Sequence, residues 1–137
     1  GKNVVVTPHA GEFKKMFGEI LPESKKARII MVEKFAKEHS VTILLKGQTD
    51  IISNGERTYL NPTNTSGMTV GGTGDILSGI IAGMLARNRD ALESAVISAY
   101  FNGLAGKMTQ KKLGHHMTAT DLLDTLPAVM KSFDKIK

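Results

Sequence analysis

Between Gly67 and Gly79 the chain reads GMTVGGTGDILSG, with glycine at 67, 71, 72 and 74 and an acid, Asp75, directly after the last of them. An apolar run, Ile76-Leu77 and Ile80-Ile81-Ala82, follows with helical spacing. Glycines this dense let the backbone reach φ > 0 and let a ligand come close to the main chain. A loop that opens a helix also gathers unpaired N–H groups and the positive end of the helix dipole at one point, which suits a phosphate. Asp75 falls in the first turn, where it either faces the bound anion or serves only as a cap. The spacing is not a Walker A loop, because no Gly-Lys-Ser/Thr follows. Nor is it a dinucleotide fingerprint, because GxGxxG after a strand is absent.

The rest of the chain supplies the frame for such a loop. Asn3 to Val6 reads as a short buried strand that turns at Thr7-Pro8. His9 to Phe17 reads as a helix with Phe13, Met16 and Phe17 on one side. Pro22-Glu23-Ser24 restarts the chain, and Ala27, Ile30, Met31 and Phe35 form the stripe of a second helix reaching about His39. Val41 to Leu45 is continuously apolar, as a strand covered on both faces must be. Strand, helix and strand in this order predict a parallel pair in an α/β sheet. Asn54-Gly55, between Asp50–Ser53 and Glu56–Leu60, is a strong hairpin signal. Asn61 to Ser66 is a polar loop. Helices follow at Ile76 to Arg87, after a cap at Asp90, and after a cap at Thr118 through Leu122, Leu126, Val129 and Phe133.

With 137 residues the chain is one domain at most, and 41% hydrophobic with 23% charged residues is ordinary for a globular protein. It has no cysteine, which excludes disulfides, a thiolate nucleophile and a cysteine metal site. The net charge of +5 could attract nucleotides, but the lysines are scattered and aromatics make up only 5%, so a nucleic-acid partner is not expected. The longest nearly apolar run, Ile76 to Ala86, is too short to span a membrane. Gly1 to Val6 lacks a signal-peptide core, and a cytoplasmic location is expected.

Several residues could carry chemistry beside the glycine loop. Lys46 and Gly47 follow a strand end, where open α/β sheets bind ligands; Lys46 could neutralise phosphate oxygens or be a surface lysine. Asp50 could belong to this site or simply begin a strand. His9 follows another strand end and could touch substrate, with Glu12 one turn on to orient it or cap the helix. Asn64 and Thr65 could reach phosphate or Mg²⁺ through side-chain oxygens, or belong to a loop without that duty. His115-His116 has no third ligand at a useful spacing and reads as exposed.

Three ordered elements carry a resemblance. They are Thr7-Pro8-His9-x-x-Glu12-Phe13, Leu45-Lys46-Gly47-x-x-Asp50, and Gly67-Met68-x-x-Gly71-Gly72-Thr73-Gly74-Asp75-x-Leu77-Ser78-Gly79. Together they resemble the NAD(P)H-hydrate dehydratases of the ribokinase-like superfamily, from Val4 to about Phe133. The Gly-x-Gly-Asp element is common to the superfamily; the first two elements narrow the match.

The resemblance implies a three-layer α/β/α fold with a mostly parallel sheet. It implies repair of hydrated NADH or NADPH, driven by ADP or ATP with Mg²⁺, by phosphorylation of the ring hydroxyl and elimination of phosphate. Asp75 matches the acid–base and substrate-contacting aspartate and His9 a substrate contact. Lys46, Gly47, Gln48, Thr49, Asp50 and Gly74 match the family's nucleotide contacts, and Gly71, Gly72 and Thr73 belong to the same glycine element as Gly74. The family domain is longer, so residues 1–137 are expected to be its C-terminal portion, as a homo-oligomer or paired with the remaining N-terminal part. Two other readings stand beside this one: a small-molecule kinase of the same superfamily acting on a sugar, thiazole or pyrimidine alcohol, and a non-catalytic adenine-nucleotide-binding module.

Overall fold

Thr42–Leu45 (β2) is buried at every position, and the other elements are arranged around it. The computed structural model describes residues 3–87 and 89–134. Four strands form one sheet in the order β1 (Val5–Val6), β2, β3 (Asp50–Ser53) and β4 (Thr58–Asn61). The β1–β2 pairing is parallel, with Val5 opposite Thr42, and its crossover carries helices α1 (Ala10–Phe17) and α2 (Lys25–His39).

The β2–β3 and β3–β4 pairings are antiparallel, so the expected mostly parallel sheet is realised here at one pairing. Connection length explains this. Only residues 46–49 and 54–57 link these strands, whereas a parallel crossover needs a dozen residues or more. Gly55, at φ 87°, turns the predicted hairpin.

The sheet is covered on both sides. On one face Phe13 of α1 and Val32, Phe35 and Ala36 of α2 pack against Ile43, Leu45 and Ile51. On the other, Leu77 and Ile81 of α3 (Thr73–Leu85) and Leu92, Ala95 and Ala99 of α4 (Ala91–Leu113) pack against Leu44 and Ile52. Helix α5 (Ala119–Lys131) lies against α4 through Leu122, Leu126 and Val129. The alternation of Ile43 and Leu45 to one side with Leu44 to the other is the strand period at work. The α/β/α layering matches the expected fold class.

Three local expectations change. Ile30 is exposed, because the face of α2 on the sheet runs through Val32, Phe35 and Ala36 with Met31 packed beside them; of the inferred stripe Met31 and Phe35 reach the core and Ile30 does not. Met16 is exposed as well: Phe13 and Phe17 meet Phe35 with ring centroids 5.6 and 5.0 Å away, and this aromatic cluster fills that face. The first strand covers only Val5–Val6 and is half-buried, since it is paired on one side alone among the described residues.

Candidate functional site

Asp50, the first residue of β3, is the hub of a buried polar network at the end of β2. Its Oδ1 accepts from the Gly47 N–H at 3.1 Å and from Asn64 Nδ2 at 2.7 Å, and its Oδ2 accepts from Asn61 Nδ2 at 3.0 Å. Asn64 Nδ2 also donates to the Gly47 carbonyl at 2.9 Å, so both polar groups of Gly47 are held. Asn61 Nδ2 donates further to the Ala99 carbonyl of α4 at 3.1 Å, and the Thr63 hydroxyl donates to Asn61 Oδ1 at 2.7 Å. Burial pushes the Asp50 carboxyl above the usual aspartate range, against the opposing pull of Asn61, Asn64, the Gly47 N–H and Lys46. The network fixes residues 46–47 relative to the loop after β4.

The glycine loop is built the opposite way. Gly72 adopts φ 92° as the N-cap of α3 and offers no side chain to the helix. Helices α1, α2, α4 and α5 are each capped by a side chain, from His9, Ser24, Asp90 and Thr118. The N–H groups at the start of α3 therefore have no side-chain cap among the described residues, and the helix dipole favours an anion there. The Thr73 hydroxyl is turned inward and donates to the carbonyls of Met68 at 2.8 Å and Val70 at 3.0 Å, which fixes the loop. Asp75, in the first turn, is exposed and makes no hydrogen bond or ion pair among the described residues.

Lys46 joins the two regions. Its ammonium lies 3.3 Å from Glu12 Oε2 and 3.4 Å from where a Cβ on Gly74 would stand, so it lies beside the start of α3. Glu12 closes a capping box on α1 by accepting from the His9 N–H at 2.7 Å. That bond, with Lys46, holds the Glu12 carboxyl below the usual glutamate range. His9 Nδ1 accepts from the Gly11 and Glu12 N–H groups at 3.0 and 3.2 Å, which leaves its proton on Nε2.

Two cavities meet at a rim shared by His9, Lys46 and Gly74. The first, about 650 Å³, is also lined by Gly47, Gln48, Asp50, Asn64 and Thr73. The second, about 820 Å³, is lined by Gly71, Gly72, Glu12 and Asp75. The candidate residues thus converge on one double site, except that Thr49 lines neither cavity. His115 and His116 lie exposed in a 3₁₀ turn outside both cavities. Among the described residues no three His, Cys, Asp or Glu side chains cluster as metal ligands. Nor is any described helix long and apolar enough to cross a membrane.

Sequence reasoning missed Asn102 of α4, which lines the first cavity with Met68 and Leu77. A legible signal lay beside it in Gly103 and Gly106. A Cβ on Gly103 would overlap Thr63 and one on Gly106 would overlap Met68, so the two glycines let the loop after β4 press onto α4. That approach makes Asn102 part of the cavity wall.

The geometry agrees with the relatives of this chain. The family model described as NAD(P)H-hydrate dehydratase matches residues 1–128. A protein of Nitrosopumilus maritimus (strain SCM1), named ADP-dependent (S)-NAD(P)H-hydrate dehydratase, is 62% identical over 98% of this chain and 47% of its own length. One of the same name from Cenarchaeum symbiosum (strain A) is 60% identical over 100% of this chain and 48% of its own. A solved Bacillus subtilis protein, described as an ADP/ATP-dependent NAD(P)H-hydrate dehydratase co-crystallised with ATP and Mg²⁺, superposes with a TM-score of 0.87 at 34% identity, covering 96% of this chain and 48% of that one. The chain spans about half the length of the curated relatives it matches. With the family model covering nearly all of it, and the ordered motifs brought together around one double cavity, the chain belongs to the NAD(P)H-hydrate dehydratase family.

Proposed function

We propose that this chain forms part of an enzyme that uses ADP to dehydrate hydrated NADH or NADPH back to the reduced coenzyme. The carrying observation is the pair of cavities that share Lys46 and Gly74, one side lined by the strand-end loop and the other by Asp75. Such an arrangement suits transfer between two bound molecules across a common rim. The choice of ADP follows the names of the archaeal relatives at 62% and 60% identity.

In this reading the nucleotide occupies the first cavity and supplies a phosphoryl group. Lys46 and the uncapped N–H groups of Gly72, Thr73 and Gly74 hold its phosphates, with Gly71 leaving room for their approach. Gly47 and Gln48 flank the nucleotide, while Asp50 and Thr49 shape the loop that presents them. Asn64 has its amide nitrogen committed to Gly47 and Asp50, which leaves its Oδ1 to reach a metal on the phosphates. Mg²⁺ commonly relies on phosphate oxygens with one or two protein ligands, so the absence of a three-residue cluster among the described residues fits that placement.

The hydrated nicotinamide occupies the second cavity with its ring hydroxyl toward the rim. Asp75 takes the hydroxyl proton as the oxygen attacks the terminal phosphorus of ADP and AMP leaves, while Lys46 offsets the developing charge. His9 donates from Nε2 to the substrate. Departure of phosphate with the neighbouring C–H proton restores the ring double bond. By motif order residues 1–137 are read as the C-terminal portion of one such domain, assembled as a homo-oligomer or paired with the remaining N-terminal part. With this substrate the cytoplasm is the expected compartment.

The test uses the full encoded protein with hydrated NADH, Mg²⁺ and ADP or ATP, following the return of the reduced nicotinamide absorbance. Recovery that is abolished in Asp75→Asn supports the reading. No recovery with either nucleotide overturns it.

A further inference from the structure

We infer that Asn102 reads the adenine base and sets the nucleotide preference of the site, an inference that rests on the nucleotide occupying the first cavity. Asn102 is 5% exposed, it lines that cavity, and its Oδ1 has no hydrogen-bond partner among the described residues. A buried acceptor without a donor is costly, and of the four such oxygens among the described residues, those of Ser94 and Ser98 line neither cavity while those of Asn102 and Thr65 belong to residues lining this one, which points to a partner supplied from outside the chain. The Thr65 hydroxyl, on the same cavity wall, is also unpaired.

Chemistry decides which part of a nucleotide this end of the cavity meets. The phosphate end already has Lys46 and the start of α3, and an amide oxygen aimed at phosphate would repel it. The wall around Asn102 carries Met68 and Leu77, apolar surfaces suited to the faces of a flat ring. An asparagine amide sets a donor beside an acceptor, which matches the adenine N7 acceptor and N6 amino donor. Hypoxanthine has acceptors at both N7 and O6, so the same amide satisfies only one of them. A nucleotide with that base therefore binds with one hydrogen bond fewer.

The packing that places Asn102 is specific. Gly103 lets Thr63 lie directly against α4, and Thr63 is tied through Asn61 to Asp50. The base-reading residue and the loop carrying Lys46 are therefore held by one connected framework.

The experiment measures binding of ADP, inosine diphosphate and pyrophosphate to the full encoded protein by calorimetry. The wild type is expected to prefer ADP over inosine diphosphate about tenfold, the effect of one well-formed amide–base pair. Asn102→Ala should weaken ADP by more than about tenfold and inosine diphosphate by less, leave pyrophosphate unchanged and bring the two nucleotides to near-equal affinity. Asn102→Leu, close in volume, tests for a purely structural role: its Tm without nucleotide should equal or exceed that of the wild type, while the Tm rise on adding ADP shrinks. Equal losses for ADP and inosine diphosphate would assign Asn102 to the ribose or to packing and overturn the inference. Unchanged ADP binding in both variants would also overturn it while leaving the proposed function intact. A wild type that binds no adenine nucleotide would overturn both.

Discussion

The strand-end network around Asp50 and the start of α3 around Gly74 lie on the same cavity yet are built on opposite principles. At Asp50 each carboxylate oxygen has a donor inside the fold, and the side chain is 3% exposed. At α3 the N-cap has no side chain, the first N–H groups have no side-chain cap, and Asp75 is exposed and unpaired, among the described residues. The first region spends its polar groups on itself and becomes a rigid platform. The second withholds them and keeps them for a ligand. Platform residues should therefore be felt in stability first, and those around α3 in chemistry first.

The sharpest separation is expected from the two aspartates. Asp75→Asn should lower turnover by roughly 10²–10⁴-fold, the usual worth of a positioned acid–base group. Its urea-unfolding midpoint should hardly move, because an exposed first-turn carboxylate contributes only about 0.3–1 kcal/mol to its helix. Asp50→Ala reverses the pattern. It strands the Gly47 N–H and part of the Asn61 and Asn64 amides, at an expected cost of about 3 kcal/mol read by urea denaturation. ADP affinity should fall with it as the Gly47 loop loosens. If Asp50→Ala left stability untouched and only turnover fell, the division between platform and reactive end would collapse.

Why the two regions differ in legibility follows from the same contrast. The glycine loop can be read from the chain because its function is local: Gly71 to Asp75 are adjacent, and helix caps and positive φ are short-range properties. The sheet could be read wherever length decides, as with β2 and the Asn54-Gly55 hairpin. The network could not. Asp50, Asn61 and Asn64 look like strand ends and loop polarity until β3 and β4 pair, and Asp50 then stands opposite Asn61. Asn102 was hidden more deeply, since its position on the cavity wall depends on a close approach between α4 and a distant loop. Ile30 misled for a related reason: α2 carries apolar residues around much of its circumference, and only the packed sheet decides which of them it covers.

A single substitution type applied to both regions sharpens the comparison at a smaller scale. A Cβ on Gly71 would meet nothing within 4 Å among the described residues, whereas one on Gly103 would overlap the Thr63 side chain and press tightly on its backbone. Gly103→Ala should gain somewhat less than about 1 kcal/mol from helix propensity yet lose about 1–3 kcal/mol to overpacking, a net fall in Tm. Gly71→Ala should leave Tm nearly unchanged and weaken phosphate approach alone, seen as a raised KM for ADP. Equal Tm losses in the two variants would show that the glycine loop is also part of the packed platform.

The smallest expected effect, and the most diagnostic, is the pH dependence. Burial raises the Asp50 carboxyl above its ordinary value of about 3.9, so between that value and its folded value the native state holds the proton more tightly than the unfolded chain. The stability this adds is complete in acid and is lost as pH rises through the folded value. Glu12 shifts the other way: the His9 N–H and Lys46 lower it, so its contribution is present above the ordinary value of about 4.3 and disappears as pH falls through the lower folded value. In urea titrations across the acid range, the advantage of wild type over Asp50→Asn should therefore shrink with rising pH, and the advantage over Glu12→Gln should grow. Glu12 is about half-exposed, so its trend should also fade in high salt while that of Asp50 persists. Two trends of the same sign would mean that Asp50 is ionised and fully compensated by Asn61, Asn64 and Lys46, and that the platform carries a settled negative charge on the wall of the first cavity.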